Sequence, residues 1–149
     1  MAILNIFTDK EFLHKKSKPV TDFDDRLHML LDDMRETMVH NNGIGIAGPQ
    51  VGVLWRVCLV MTSGGVLELV NPEILIGKRI KRGPESCLSL QDESDREIMI
   101  DRPNKLTVRA NDRNGKTFDV ELKGIEAICA SHEIDHLNGV IISDYKGDA

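Results

Sequence analysis

The stretch "ICASHEIDHLNG", Ile128 to Gly139, limits more than any other what this chain can fold into. From Gly124 onward, Ile125, Ile128, Cys129 and then His132 and Leu137 recur at spacings of three and four, which predicts an α-helix buried along one stripe. Asn138-Gly139 supplies residues that tolerate a left-handed C-terminal cap. On such a helix His132 and His136 stack on one face, about 5–6 Å apart at Cβ, with Glu133 one position round. Two imidazoles so placed can hold one metal ion and leave the glutamate free to handle protons on a bound water. The competing reading is a pair of core histidines bonded to backbone. A glutamate beside the first histidine, in the pattern H-E-x-x-H, favours the metal.

The rest of the chain must enclose that helix. "TDFDDRLHMLLDDMRETMVHNNG" carries Leu27, Leu30, Leu31, Met34 and Met38 at helical spacing, begins acidic and ends in Asn-Asn-Gly. It predicts an amphipathic helix from Asp24 to His40. Short β-like runs follow in "WRVCLVM", "VLELV" and "EILIGKRI", then "KLTVRA" and "KTFDVELK" on either side of "NDRNG", whose Asn114-Gly115 is a strong hairpin signal. Strands that cluster instead of alternating with helices point to an α+β fold, with small antiparallel β-sheets packed around a central metal-binding helix, plus an N-terminal helix. At 149 residues, without repeats or low-complexity tracts, the chain is expected to form a single catalytic domain over 1–149. Lys78, Arg79, Lys81 and Arg82 in "GKRIKRG" are expected to be a solvated strand face, with RNA or phosphate contact as the lesser option.

Composition excludes several classes. A net charge of −5 and a pI near 5.5 argue against a nucleic-acid-binding domain. No apolar run approaches the roughly 18 residues of a membrane span, and "MAILNIFTDK" does not read as a secretory signal. The three cysteines sit in unlike contexts: Cys58 in an apolar strand, Cys87 in a polar loop, Cys129 on the histidine helix. That pattern suggests reduced thiols in a cytoplasm-like compartment, with any special cysteine serving metal or catalysis.

Two histidines leave a tetrahedral ion two positions short. After His136 the chain reads "LNGVIISDYKGDA", which holds no histidine or glutamate, so the third ligand is sought upstream. There Cys87 stands out, in the polar "GPESCLSL". A Cys-His-His set suits a borderline-soft divalent ion and leaves a fourth position for water. The ligand softness alone admits Zn²⁺, Fe²⁺, Co²⁺ or Ni²⁺. The remaining informative stretch is "NNGIGIAGPQVG". Its glycines permit close backbone approach, but it lacks the lysine and hydroxyl of a phosphate loop. Gln50 offers an amide N–H to a carbonyl oxygen that is acquiring negative charge.

Taken together, "GIGIAGPQ", "ESCLS" and "SHEIDH" resemble, in order and separation, the three motifs of the peptide deformylase family: G-x-G-x-A-A-x-Q, E-G-C-L-S and Q-H-E-x-D-H. The resemblance extends through "DDMRETM", "PQVG", "LVNPEI" and "DHLNG", from Ile3 to about Tyr145. It implies that Cys87, His132 and His136 are metal ligands and that Glu133 is the catalytic acid/base. Gln50 and the backbone N–H of Leu88 would stabilise the oxyanion. Ile44 and Gly45 would align the substrate peptide, and Ile44, Ile125, Ile128 and Cys129 would line the apolar site for a methionine side chain. The implied reaction removes the formyl group from the N-terminal formylmethionine of new polypeptides, as metal-bound water attacks the formyl carbon with Glu133 as general acid/base. Fe²⁺ is the implied ion in bacterial cells, with nickel or cobalt able to substitute and zinc often less active. Partners would be N-formylmethionyl peptides and nascent chains with transient ribosome proximity, without nucleic-acid specificity or a membrane. The expected state is a cytoplasmic monomer, an organelle or a virus-infected bacterial cell being the other settings.

Residues near the site depart from the family pattern or invite pairing. Gly48 stands where the family has a second alanine, and Ser86 replaces the glycine before the cysteine. Glu85 and Arg102 are candidates for an ion pair steadying the cysteine loop, and Asp135 either orients a ligand histidine or is an exposed helix carboxylate. The chain stops at Ala149, where bacterial relatives commonly continue into a ribosome-binding helix and viral and organellar relatives are short, so weaker ribosome association is expected. The alternative functions are a metalloprotease, which the missing downstream ligand disfavours, and a catalytically inactive peptide-binding homologue, which would need neither Gln50, Cys87 nor Glu133.

Overall fold

A computed structural model describes residues 2–85 and 98–145. Helix α1 is a single turn, Lys10–Leu13, capped by the Asp9 carboxylate. Helix α2, Asp25–His40, begins where Asp24 accepts from the Leu27 N–H as its N-cap, one residue inside the expected start. Its stripe of Leu27, Leu30, Leu31, Met34 and Met38 is buried against Ile46, Val57 and Leu59 of the sheet. That packing follows from the sequence period.

Among the described residues, five antiparallel strands form one sheet in chain order: β1 Gly45–Ala47, β2 Val57–Thr62, β3 Gly65–Glu85, β4 Ile98–Asn111 and β5 Thr117–Lys123. The fold class is α+β, with the strands grouped before the last helix as their clustering implied. The runs "VLELV" and "EILIGKRI" are not separate strands. They belong to one 21-residue strand, β3, that bends instead of ending. Its pairing with β4 slips between Val70 and Glu73 and again between Ile74 and Ile76, and Asn71 adopts φ +52° at the first slip. Asparagine is among the few residues that accept that conformation, and its side chain bonds back to Val20 N and O. Such irregularities let one sheet curve around a helix.

The "NDRNG" turn is as expected: Asp112 N donates to Lys116 O at 2.8 Å, and Gly115 takes φ +88°. Arg113 in this turn pairs with Glu68 at 2.6 Å and Asp32 at 2.8 Å, tying the hairpin to α2. Lys78, Arg79, Lys81 and Arg82 are all exposed. They lie where β3, among the described residues, pairs only with β4. Cations on such an edge discourage pairing with a foreign strand.

Helix α3, Ile125–Leu137, packs against β1, β2, β4 and β5 of the sheet, and nine of its thirteen residues are buried. Ala127, Cys129, Ala130, Ile134 and Leu137 pack with Cys58, Val60, Leu106, Val108 and Leu122. Its C-terminal carbonyl at Leu137 is satisfied by Ser17 N and by Arg56. Asn138 stays outside the left-handed region, which Gly139 occupies at φ +75°. Leu13, Ile98, Ile100, Ile141 and Ile142 form a third apolar cluster beneath the last 3₁₀ turn, Ile142–Tyr145. Among the described residues no helix is long and apolar enough to cross a membrane.

Candidate metal centre

Helical spacing brings His132, Glu133 and His136 together in space as well as in sequence. One ligand atom from each lies within 4.8 Å of the others, and the imidazole centroids are 5.1 Å apart. All three are nearly dry, at 8 %, 5 % and 1 % exposure. Burial, followed by the charges of His132 and Arg102, holds His136 well below the usual histidine range. A neutral imidazole with a free electron pair is what a metal requires.

His132 is held from behind. Its Nδ1 lies 2.9 Å from Glu85 Oε1. Burial alone would raise the Glu85 carboxyl, but hydrogen bonds from His132 and Arg102 and the guanidinium charge bring it below the usual value. An ionised carboxylate can only accept, so Nδ1 donates the proton and Nε2 carries the lone pair toward the site. Arg102, buried at 3 % exposure, grips Glu85 with two parallel bonds, Nε to Oε2 at 3.0 Å and NH2 to Oε1 at 3.1 Å. The Glu85–Arg102 pair expected from the sequence is therefore formed. Asp135 takes neither of the two places considered for it: half-buried, it bonds Arg102 and the Tyr145 hydroxyl, and Glu85 is the carboxylate on the histidine.

Glu133 is built in the opposite way. Among the described residues its Oε1 is buried with no hydrogen-bond partner. Burial, opposed in part by His132 and Arg102 and reinforced by the charges of Glu85 and Asp135, pushes its carboxyl up to about 7. A bound cation would bring that value down again. A dry carboxyl near neutrality, with one oxygen unspoken for, fits a group that takes up and returns a proton.

The β1 backbone runs close beside this carboxyl because Gly45 has no side chain. A Cβ there would stand 2.5 Å from Cys129 Sγ and 2.7 Å from Glu133 Oε2. Cys129 Sγ in turn donates to Ile44 O at 3.3 Å, so Ile44, Gly45, Cys129 and Glu133 are neighbours. Ile44 and Ile125 are exposed, at 51 % and 68 %, while Ile128 is half-buried. Ile125, Ile128, Cys129 and His132 succeed one another along the helix, leading an apolar strip to the candidate metal site. Gln50, 2 % exposed, sits in the 3₁₀ turn Gly48–Val51, and its Oε1 accepts from Ala47 N at 2.9 Å. That bond fixes the amide's orientation and makes Nε2–H₂ the end that donates.

Cys87, Leu88 and Ser86 lie outside the described residues. Among residues that are described, sequence reasoning missed Glu85 as the partner of His132 and Tyr145 as a partner of Asp135. A signal for Glu85 was present, since it opens the "ESCLS" motif.

The family model of polypeptide deformylases matches residues 3–148. The chain belongs to the polypeptide deformylase family. A peptide deformylase of Caldicellulosiruptor bescii is 46 % identical over 145 residues, which is 97 % of this chain and 86 % of that protein. Peptide deformylase 1 of Clostridium perfringens is 42 % identical, covering 98 % of this chain and 99 % of the other. The crystal structure of a peptide deformylase from Legionella pneumophila superposes with a TM-score of 0.88 at 38 % identity, over 95 % of this chain and 85 % of that one. Deformylase family members remove the N-terminal formyl group from new polypeptides and depend on a metal, and this chain is an enzyme of that class.

Proposed function

We propose that the protein deformylates N-formylmethionyl peptides and nascent chains at a site formed by Cys87, His132 and His136 as metal ligands with Glu133 as acid/base. The observation that carries this reading is the contrast between His132, oriented by Glu85, and Glu133, whose Oε1 is left without a partner among the described residues. Cys87 follows Glu85 by two positions, at most about 7 Å of chain, which supports its assignment to the same ion as His132. The donor set, one thiolate and two imidazoles, fits a divalent ion such as Fe²⁺, with Zn²⁺, Ni²⁺ or Co²⁺ as substitutes.

When bound, that ion supplies a Lewis acid that lowers the pKa of water toward neutrality. Glu133 accepts the proton of the attacking water and later delivers it to the departing amine nitrogen. Gln50 Nε2, turned by the Ala47 bond, and the Leu88 amide donate to the oxygen of the formyl carbon as it gains charge. The Ile44 and Gly45 backbone aligns the peptide, while Ile44, Ile125, Ile128 and Cys129 receive the methionine side chain. The chain acts as one catalytic domain, a reading supported by the single sheet that runs through all its described strands.

The test is a short formyl-Met peptide set against its unformylated counterpart containing internal peptide bonds. Formate release with intact internal bonds is expected. Internal cleavage would replace the reading with a protease, and binding without turnover with a peptide-binding homologue.

A further inference from the structure

Arg102 carries one positive charge and is held by two carboxylates. Beyond its double bond to Glu85, its NH1 reaches Asp135 Oδ2 and, at 3.3 Å, Ser131 Oγ. Asp135 Oδ2 also accepts from the Tyr145 hydroxyl at 2.7 Å, and the Tyr145 ring lies 5.2 Å from the guanidinium carbon. At the other end Glu85 Oε1 is shared, accepting from Arg102 NH2 at 3.1 Å and His132 Nδ1 at 2.9 Å. The contacts run unbroken from Tyr145 through Asp135, Arg102 and Glu85 to His132.

Sharing sets the strength of each link. Two carboxylates on one guanidinium compete for its charge. While Asp135 takes part of it, Glu85 keeps more negative charge for the His132 N–H, and the imidazole stays a better donor to a metal. Asp135 has a route away, since its side chain is 23 % exposed and water can replace Arg102. The Tyr145 hydroxyl closes that route by bonding the same oxygen that faces Arg102. A simple clasp of the last turn onto α3 would need none of this connection to the histidine.

We propose that Tyr145 and Asp135 are positioning residues of the metal centre, acting through Arg102 to set how firmly Glu85 orients His132. The proposal rests on the reading of His132 as a metal ligand. It gives the 3₁₀ turn after the histidine helix a part in metal retention as well as in packing.

The test loads the full-length protein with Co²⁺, then follows its visible spectrum and its rate of metal release to a chelator. Tyr145→Phe keeps the ring and removes only the hydroxyl, and should release Co²⁺ about 3–10-fold faster with a shifted spectrum, less than the roughly 10–100-fold loss of affinity expected for a direct partner of a ligand, because three contacts separate the hydroxyl from Glu85. Asp135→Asn should move both readouts the same way, and Glu85→Gln should move them furthest. If Tyr145→Phe and Asp135→Asn match the parent in rate and spectrum while Glu85→Gln does not, the pair is a clasp and the proposal is overturned. A lower melting temperature with unchanged release overturns it equally. If Glu85→Gln and His132→Ala also match the parent, His132 is no ligand, and the metal assignment falls together with the proposal.

Discussion

On one side of α3, His132 donates its Nδ1 proton to Glu85 in a hydrogen bond, and Glu85 is gripped in turn by Arg102. On the other, Glu133 lies against the bare backbone of Gly45, with Oε1 unpartnered among the described residues. The two carboxylates are pushed in opposite directions, Glu85 below its usual value by its hydrogen bonds and Glu133 up to about 7 by burial. A group that must hold a fixed direction is bonded, whereas a group that must exchange protons is dried and left open. Environments that separate two like groups in this way assign acid/base roles.

The largest expected effects fall on the ligand set. Cys87→Ala or His136→Ala should lose metal and turnover together, because two remaining ligands do not retain the ion. Metal analysis of the purified variants checks this, and a variant holding a full equivalent of metal would remove its residue from the set. Next comes the orienting side. Glu85→Gln should keep the fold and weaken metal affinity about 10–100-fold, the usual cost of losing a direct partner of a ligand. A chelator titration giving the parental affinity would mean that the Glu85 contact does not support the ligand.

The open side should be broken by bulk instead of charge. Gly45→Ala would press a methyl against Cys129 and Glu133, so a loss of about 1–3 kcal/mol is expected, together with reduced turnover. Gly83→Ala, with nothing among the described residues near the added carbon and no positive φ, should stay within about 0.5 kcal/mol of the parent in urea unfolding. Equal effects at the two glycines would show that the close approach at Gly45 is not tight. Smallest in stability is Ile125→Asp, at an exposed position, which should leave the midpoint nearly unchanged yet raise KM for formyl-Met peptides. An unchanged KM would take Ile125 out of the substrate strip.

The two sides also differed in how far they could be read beforehand. Helix α3 announces His132, Glu133 and His136 because periodicity is local and each residue is one step or one turn from the next. The stripe of α2 was legible for the same reason. Glu85 meets His132 across 47 positions, and that meeting depends on how β3 bends and pairs with β4. Nothing in "VLELV" or "EILIGKRI" marks them as one strand, since the bend is made by Asn71 adopting a conformation its side-chain bonds stabilise. Asp135 was visible as a carboxylate near the proposed ligands but not as a partner of Arg102, because β4 carries that guanidinium to it from a distant stretch of chain.

The division between ligand and base is tested most directly by measuring metal content and steady-state kinetics of Glu133→Gln side by side. The variant keeps shape and both imidazoles, so it should bind a full equivalent of metal and leave KM for a formyl-Met peptide nearly unchanged. Its kcat should fall by about 10²–10⁴-fold, the scale of a positioned acid/base. Metal-free protein, or turnover close to that of the parent, would contradict the account.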